Sequence, residues 1–294
     1  MIDRKDILAA LEGADQLPPF PDVLIRLERE LSQPDVSVLR LASLLEEDVA
    51  LVAQLLRVAN SAYYGGRTRI TSVADAAIRL GMQELRSIVY TAAVIGRYRP
   101  VGRVNMPLFW GHSLAVGMAA GAVCRSCKVR VPKEVYEAAY VAGLLHDLGA
   151  IALTQWFPEE SFAAHVAIRE HGGTASAYEL EMWGIEHGEV GGLLAERWSI
   201  PVSIQQAIMH HHQPWLVGPE HRTLVRVIHI ADFICNNLGF GRDESVFPNW
   251  FDPEAWDALG LSIEDSQSII SQVRAAADKS IVLTKVLVLC KSAQ

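Results

Sequence analysis

The chain has 294 residues, half of them hydrophobic, and a formal net charge of −8. That content excludes a disordered chain, and the acidic balance argues against broad nucleic-acid binding. Four cysteines, Cys124, Cys127, Cys235 and Cys290, include a lone C-x-x-C pair, too little for a zinc or disulfide framework, and read as core thiols of a reducing cytoplasm. Segments rich in Ala, Leu, Glu, Gln and Arg with helical spacing outnumber alternating β-type runs, so the pattern predicts an all-α protein of two helical lobes.

In chain order, MIDRKDILAALEGAD turns polar too soon for a leader's apolar core. PPFPDVLIRLERELSQP reads as an amphipathic helix closed at Pro34, followed by helices in SVLRLASLLEED and in EDVALVAQLLRVANSAYYGG, the last ended by Gly65 and Gly66. SVADAAIRLGMQELRSIVYTAAVIG reads as two helices joined tightly at Gly81. The join resembles a helix-turn-helix, but the second half of its reading helix is apolar and leaves few side chains for base edges, so DNA binding is not expected. Between Arg57 and Arg103 lie eight arginines, two acids and no lysine, a local charge of +6 against −14 elsewhere. Such a run is usually a solvated face; arginine without lysine also suits bidentate recognition of an anionic partner, with Arg57, Arg67 and Arg69 as candidate contacts. RYRPVGRVNMP reads as a hinge, which places a first lobe at residues 1–104.

The second lobe, 105–240, begins with MPLFWGHSLAVGMAAGAVCRSC, whose Ala and Gly residues suit a closely packed helix. VPKEVYEAAYVAGLLHDLGAIALTQW follows. Its apolar window is interrupted by His146 and Asp147, so a buried helix is expected and no membrane association. Four more helical segments lead through IMHHHQP to PEHRTLVRVIHIADFICNNLGFG. An acidic-aromatic loop, DESVFPNWFDP, opens a helical extension at 241–294 whose long last helix starts near Ser262.

The second lobe carries His112, His146, Asp147, His187, the triplet His210–His211–His212 and Asp232, each among apolar residues in or at the end of its own helix. One such residue alone is usually a satisfied core group. Together they form the kind of set a helical bundle turns inward to hold metal. Adjacent helical residues such as His146 and Asp147 point about 100° apart, so they share an ion only if it lies between them and other helices complete the shell. His112 and Asp232 could complete one site, and His187 with His211 or His212 a second. Three consecutive side chains cannot all point inward from one turn. Imidazole plus carboxylate suits one or two divalent ions of Fe, Mn, Zn or Ni, able to activate water and clamp a phosphoryl group.

The order H…HD…H…HH…D is similar to the HD superfamily of metal-dependent phosphohydrolases. PPFPDVLIRLERELSQPDVSVLRLASLLEEDVALVAQLLRVANSAYYG, GLLHDLG and EHGEVGGLLAERWSIPVSIQQAIMHHHQP resemble the HDOD (HD-related output domain) family over about residues 14–215. The resemblance implies an HD-type helical bundle for the second lobe and a bacterial signalling role, generally as a non-catalytic output module with a protein partner. The related cyclic-di-GMP phosphodiesterases carry HHExxDGxGYP, whereas this chain has HHQPWLVGPEH, with Gln213 at the acid's position. Those enzymes also carry a lysine after HD-x-G, where this chain has Ala150. The resemblance therefore implies a metal-holding or vestigial site in a signalling or scaffold protein. The alternative is a working phosphohydrolase on a nucleotide or other phosphorylated ligand, with Asp147 essential.

Overall fold

The computed structural model describes residues 2–13, 20–31, 33, 37–61, 64, 68–95, 105–240 and 250–287. Among them every regular element is helical. The chain divides into two compact units, one of residues 1–17 and 100–278, the other of 18–99 and 279–294.

In the smaller unit, helices α2 (Asp22–Leu31), α3 (Val38–Glu46), α4 (Val49–Ala59), α5 (Val73–Leu80) and α6 (Met82–Ile95) pack around Leu24, Leu27, Leu45, Leu55, Val58 and Ile88. Asp48 caps α4 through Leu51 N–H, an aspartate in the position that favours an N-cap. α4 ends at Ala59, earlier than the glycine pair that the sequence reading took as its stop. The Asn60 side chain is the reason. Its amide donates to the carbonyls of Leu56 and Ile70, and its oxygen accepts from Ile70 N–H, each at 2.8 Å. One side chain thus terminates the helix and ties the following loop to it. Gly81, at φ +80°, makes the left-handed join between α5 and α6. Every residue of α6 from Ser87 to Ile95 is buried. Arg57 and Arg69 are exposed, Arg79 bonds the Thr68 carbonyl and hydroxyl, and Arg67 lies outside the described residues.

The larger unit begins with α1 (Arg4–Glu12), closed at its start by an Asp3–Asp6 capping box. The sequence reading grouped α1 with the residues that follow it. In the structure it belongs with helices that lie far along the chain. Arg4 pairs with Glu189 and bonds the Gly184 carbonyl, Arg197 bonds the carbonyls of Leu11 and Glu12, and Ile7 is fully buried. The rest of the unit is α7 (Met106–Ser126), α8 (Lys133–Leu145), α9 (Leu148–Trp156), α10 (Pro158–His171), α11 (Ala175–Trp183), α12 (His187–Arg197), α13 (Val202–His210), a 3-10 turn at Pro214–Leu216, α14 (Pro219–Asn237), α15 (Pro253–Ala258) and the first part of α16 (Ile263–Leu287). α15 and residues up to Asp278 therefore share a unit with the preceding lobe and do not stand apart as an extension. α7 is long and apolar enough to cross a membrane by composition, yet its apolar window is 67% buried in this unit.

Small residues bring the helices together. A Cβ on Gly143 would stand 2.7 Å from Gly117 Cα, so α7 and α8 touch backbone to backbone. A Cβ on Gly149 would stand 1.9 Å from the His187 carbonyl oxygen and 2.6 Å from Gly191 N, which locks α9 against the start of α12. These approaches fix the helix ends from which the polar residues project.

Candidate metal centre

The run VAGLLHDLGAIAL does not form one continuous helix. α8 stops at Leu145, Asp147 takes φ −93° and ψ 19°, and α9 starts at Leu148. This break answers the geometric problem posed by two adjacent helical residues. The chain turns between them, and both side chains reach one centre.

Asp147 lies at its middle. Its Oδ2 is 3.3 Å from His146 Nε2 and 3.8 Å from His112 Nε2; its Oδ1 is 3.4 Å from His187 Nε2 and 3.7 Å from His211 Nε2. Asp232 Oδ1 lies 3.0 Å from His112 Nε2 and 3.5 Å from His146 Nε2. His212 Nε2 lies 2.9 Å from His187 Nε2. Two triads with no residue in common result, His112–His146–Asp232 and His187–His211–His212, and a third, His146–Asp147–His211, links them; donor atoms in each lie within 4.8 Å of one another. The Asp147 carboxylate spans the first two, one oxygen toward each. Of the triplet, His211 and His212 turn inward because α13 ends at His210; His210 is in none of the triads.

The other imidazole nitrogens are held from behind. Nδ1–H of His112, His146 and His211 donates to the carbonyls of Phe240, Gly143 and Ile208 at 3.1, 2.8 and 2.8 Å. His187 Nδ1 bonds Glu179 Oε2 at 2.6 Å, and the same oxygen accepts the His187 backbone N–H at 2.7 Å. Asn236 donates to Asp232 Oδ1 at 2.8 Å. Each of these four rings thus has its Nδ1 occupied and its Nε2 aimed at the carboxylates, the outer-sphere arrangement that fixes metal-ligating histidines. Nε2 of His146 and of His211 are buried without a hydrogen bond of good geometry. Buried imidazole nitrogens left without a partner are costly unless something engages them. The residues therefore fit a divalent metal ion, and the cluster could hold one.

The electrostatics agree. Burial is the largest influence on each group and opposes its charged form, yet neighbours overturn it at four of them. Asp147 and Asp232 raise His146 to about 10; Glu179 and Asp147 raise His187 well above the usual histidine range. Asp147 and Asp232 are held well below the usual carboxylate range by the facing imidazoles. Burial and the adjacent His146 and His187 push His211 down to about 3, and His212 falls likewise beside His211 and His187.

Three participants were not singled out from the sequence. Glu179 is 7% exposed on α11, on the same face as buried Ser176 and Trp183, while the apolar Leu180 faces outward. That inverted polarity was the available signal. His229 donates Nδ1–H to the His211 carbonyl and accepts the Asp252 backbone N–H at Nε2, at 2.8 and 2.9 Å. It sits one helical turn before Asp232. Asn236 sits one turn after it.

A family model described as the HDOD domain matches residues 17–214. A Treponema pallidum (strain Nichols) protein described as uncharacterised is 27% identical over 218 residues, 74% of this chain and 42% of its own length, so the chain spans less than half of that relative. An HDOD domain protein of unknown function from Geobacter sulfurreducens has a crystal structure 27% identical in sequence, covering 97% of this chain and 98% of its own, with a TM-score of 0.77. A candidate signal transduction protein from Marinobacter aquaeolei VT8 is 23% identical over 97% of this chain and 65% of its own, with a TM-score of 0.80. A candidate phosphohydrolase from Shewanella amazonensis SB2B is 23% identical over 96% and 98%, with a TM-score of 0.72. With the family model covering two thirds of its length, and with the helical fold shared by these structures, the chain belongs to the HDOD domain family.

Proposed function

We propose that this protein is a signalling output module whose HD-type cluster holds divalent metal as a fixed core of its larger unit, without turning over a phosphorylated substrate. One observation carries the reading: six of the seven ligands are closed off. His146 and His211 are fully buried, His112, Asp147, His187 and Asp232 are at most 7% exposed, and His212 alone is partly exposed. The acids beside the cluster, Glu179 and Glu186, are also buried and would repel a phosphate. Ala150 adds to this. It stands where the related phosphodiesterases place a lysine, and phosphoryl transfer depends on cationic groups at the transferred oxygens. His112, His146 and Asp232 would hold one ion, His187, His211 and His212 a second, with Asp147 between them. When bound, such ions supply Lewis acidity and cross-link five helices. Bacterial origin, a cytoplasmic setting and a protein partner engaging exposed Arg57 and Arg69 belong to the same reading.

A second reading, a metal-dependent phosphohydrolase, is favoured by the completeness of the ligand set. A purely structural metal core needs one such site, and two adjoining ones exceed that. One experiment separates the two. Protein purified without chelator is analysed for metal, then assayed against phosphomonoesters, phosphodiesters and cyclic dinucleotides. The proposed reading expects bound metal and no turnover. Turnover abolished by Asp147→Ala would overturn it in favour of the hydrolase. A metal-free protein whose melting temperature is unchanged by added Mn or Fe would overturn the metal core.

A further inference from the structure

A cavity of about 300 Å³ opens between α14, α15 and the start of α16, away from the metal ligands' inward faces. Among the described residues its walls are apolar and contain no charged side chain. Three aromatic rings line it, Phe233, Phe251 and Trp256, with Phe233 and Phe251 at 4.6 Å and Phe251 and Trp256 at 6.2 Å between centroids. Ile270 closes one side. Asn237 and Ser266 also line it, and both hydrogen-bond locally, Asn237 to the Phe233 carbonyl and Ser266 to the Ile263 carbonyl.

We propose that this cavity is a binding site for a small uncharged molecule with a flat apolar body. Size, charge and wall chemistry each narrow the guest. A dry cavity of about 150 Å³ lined by Leu, Ile and Phe admits benzene, so twice that volume admits a two-ring system. A wall without charge would leave an ionised ligand desolvated and unpaired. Aromatic walls favour a flat ring through offset and edge-on contacts. The cavity is also joined to the metal cluster by covalent and packing neighbours. Phe233 follows Asp232 in α14, and Phe251 stacks on His229 at 6.2 Å and 18°, the residue that holds the His211 carbonyl. The site stands independently of whether metal is bound.

The test uses the full chain and 1-naphthol as probe, followed by calorimetry and by the probe's fluorescence. The expected result is saturable binding at one site per chain. Ile270→Trp, which fills the cavity, should weaken it at least tenfold, and Ser266→Phe, a filler at a partly exposed position, should do the same if the first variant melts early. Naphthalene-1-sulfonate, of the same shape but charged, should bind at least tenfold more weakly than 1-naphthol. Absence of saturable binding, binding unchanged in a folded filled variant, or equal binding of the sulfonate would each overturn the proposal.

Discussion

Gly149→Ala is the sharpest test of how the fold builds the cluster. The added methyl would meet the His187 carbonyl oxygen at 1.9 Å and Gly191 N at 2.6 Å, and both are backbone atoms that no rotamer change can move. To reach ordinary contact near 3.4 Å, α9 and α12 must part by about 1.5 Å. Overpacking commonly costs about 1–3 kcal/mol and more where backbone must yield. Alanine's helix propensity returns about 1 kcal/mol. The expected net loss is about 2 kcal/mol, or a melting temperature lower by about 4–8 °C for a unit of this size. The same displacement carries His187 away from Asp147 Oδ1, now 3.4 Å distant, while His112, His146 and Asp232 on α7, α8 and α14 keep their places. Scanning calorimetry and elemental analysis of the purified variant read both effects: a lower melting temperature, and metal lost from the His187 triad before the other. A variant that melts within about 1 °C of the parent and carries the same metal would refute the argument that this glycine sets the site.

Asn60→Ala removes three 2.8 Å hydrogen bonds at the end of α4; at about 1 kcal/mol each, urea unfolding should show a loss of about 2–3 kcal/mol. A loss below 0.5 kcal/mol would make the asparagine incidental. Glu179→Gln keeps the shape but removes the carboxylate behind His187, so Mn affinity measured by competition with a fluorescent chelator should fall about 10–100-fold. Unchanged affinity would remove Glu179 from the site. The cluster should also link metal to pH. In the metal-free protein His146 titrates near 10, above its value of about 6.5 in the unfolded chain, so its contribution to stability is complete below about pH 6.5 and is lost as pH rises through 10. Asp147 and Asp232, held low, contribute above the unfolded carboxylate range and lose that contribution as pH falls through their folded values. Metal must displace the protons on His146 and His187. Calorimetric titration with Mn at pH 7 in buffers of different ionisation enthalpy should therefore show proton release, and binding should tighten from pH 6 to pH 8. Heats independent of the buffer would contradict the charge pattern.

The helices were legible because burial follows a 3.6-residue period wherever one face is wet. α2 illustrates this, with Leu24 and Leu27 buried and Asp22 and Arg29 exposed. The break at His146–Asp147 was not, since the residues on both sides are apolar and buried all round, and a period cannot show where a fully buried helix stops. The inward histidines and aspartates stood out as charge inside apolar runs, and the structure brings all seven together. Their pairing depended on Gly149 and Gly143, whose role is visible only once the opposing backbone is in place. Glu179 was hidden by its neighbours, because Glu181 and exposed Leu180 make α11 look like an ordinary surface helix. α1 looked local because it is adjacent in sequence to the first lobe. Its partners, Gly184 and Glu189, are 180 and 185 residues away, a distance that no local pattern encodes.

That last contact sets a timetable for synthesis. The helix on which α1 docks is synthesised about 180 residues after α1 itself, an interval on the order of ten to forty seconds at about 5–20 residues per second. Throughout it Ile7, fully buried at the end, has no native surface to cover it. The segment 18–99 lies between the two parts of the larger unit, so its helices are complete before that unit can close. A nascent chain stalled in this window would present an uncovered amphipathic helix, a natural handle for a chaperone and the weak point for misassembly.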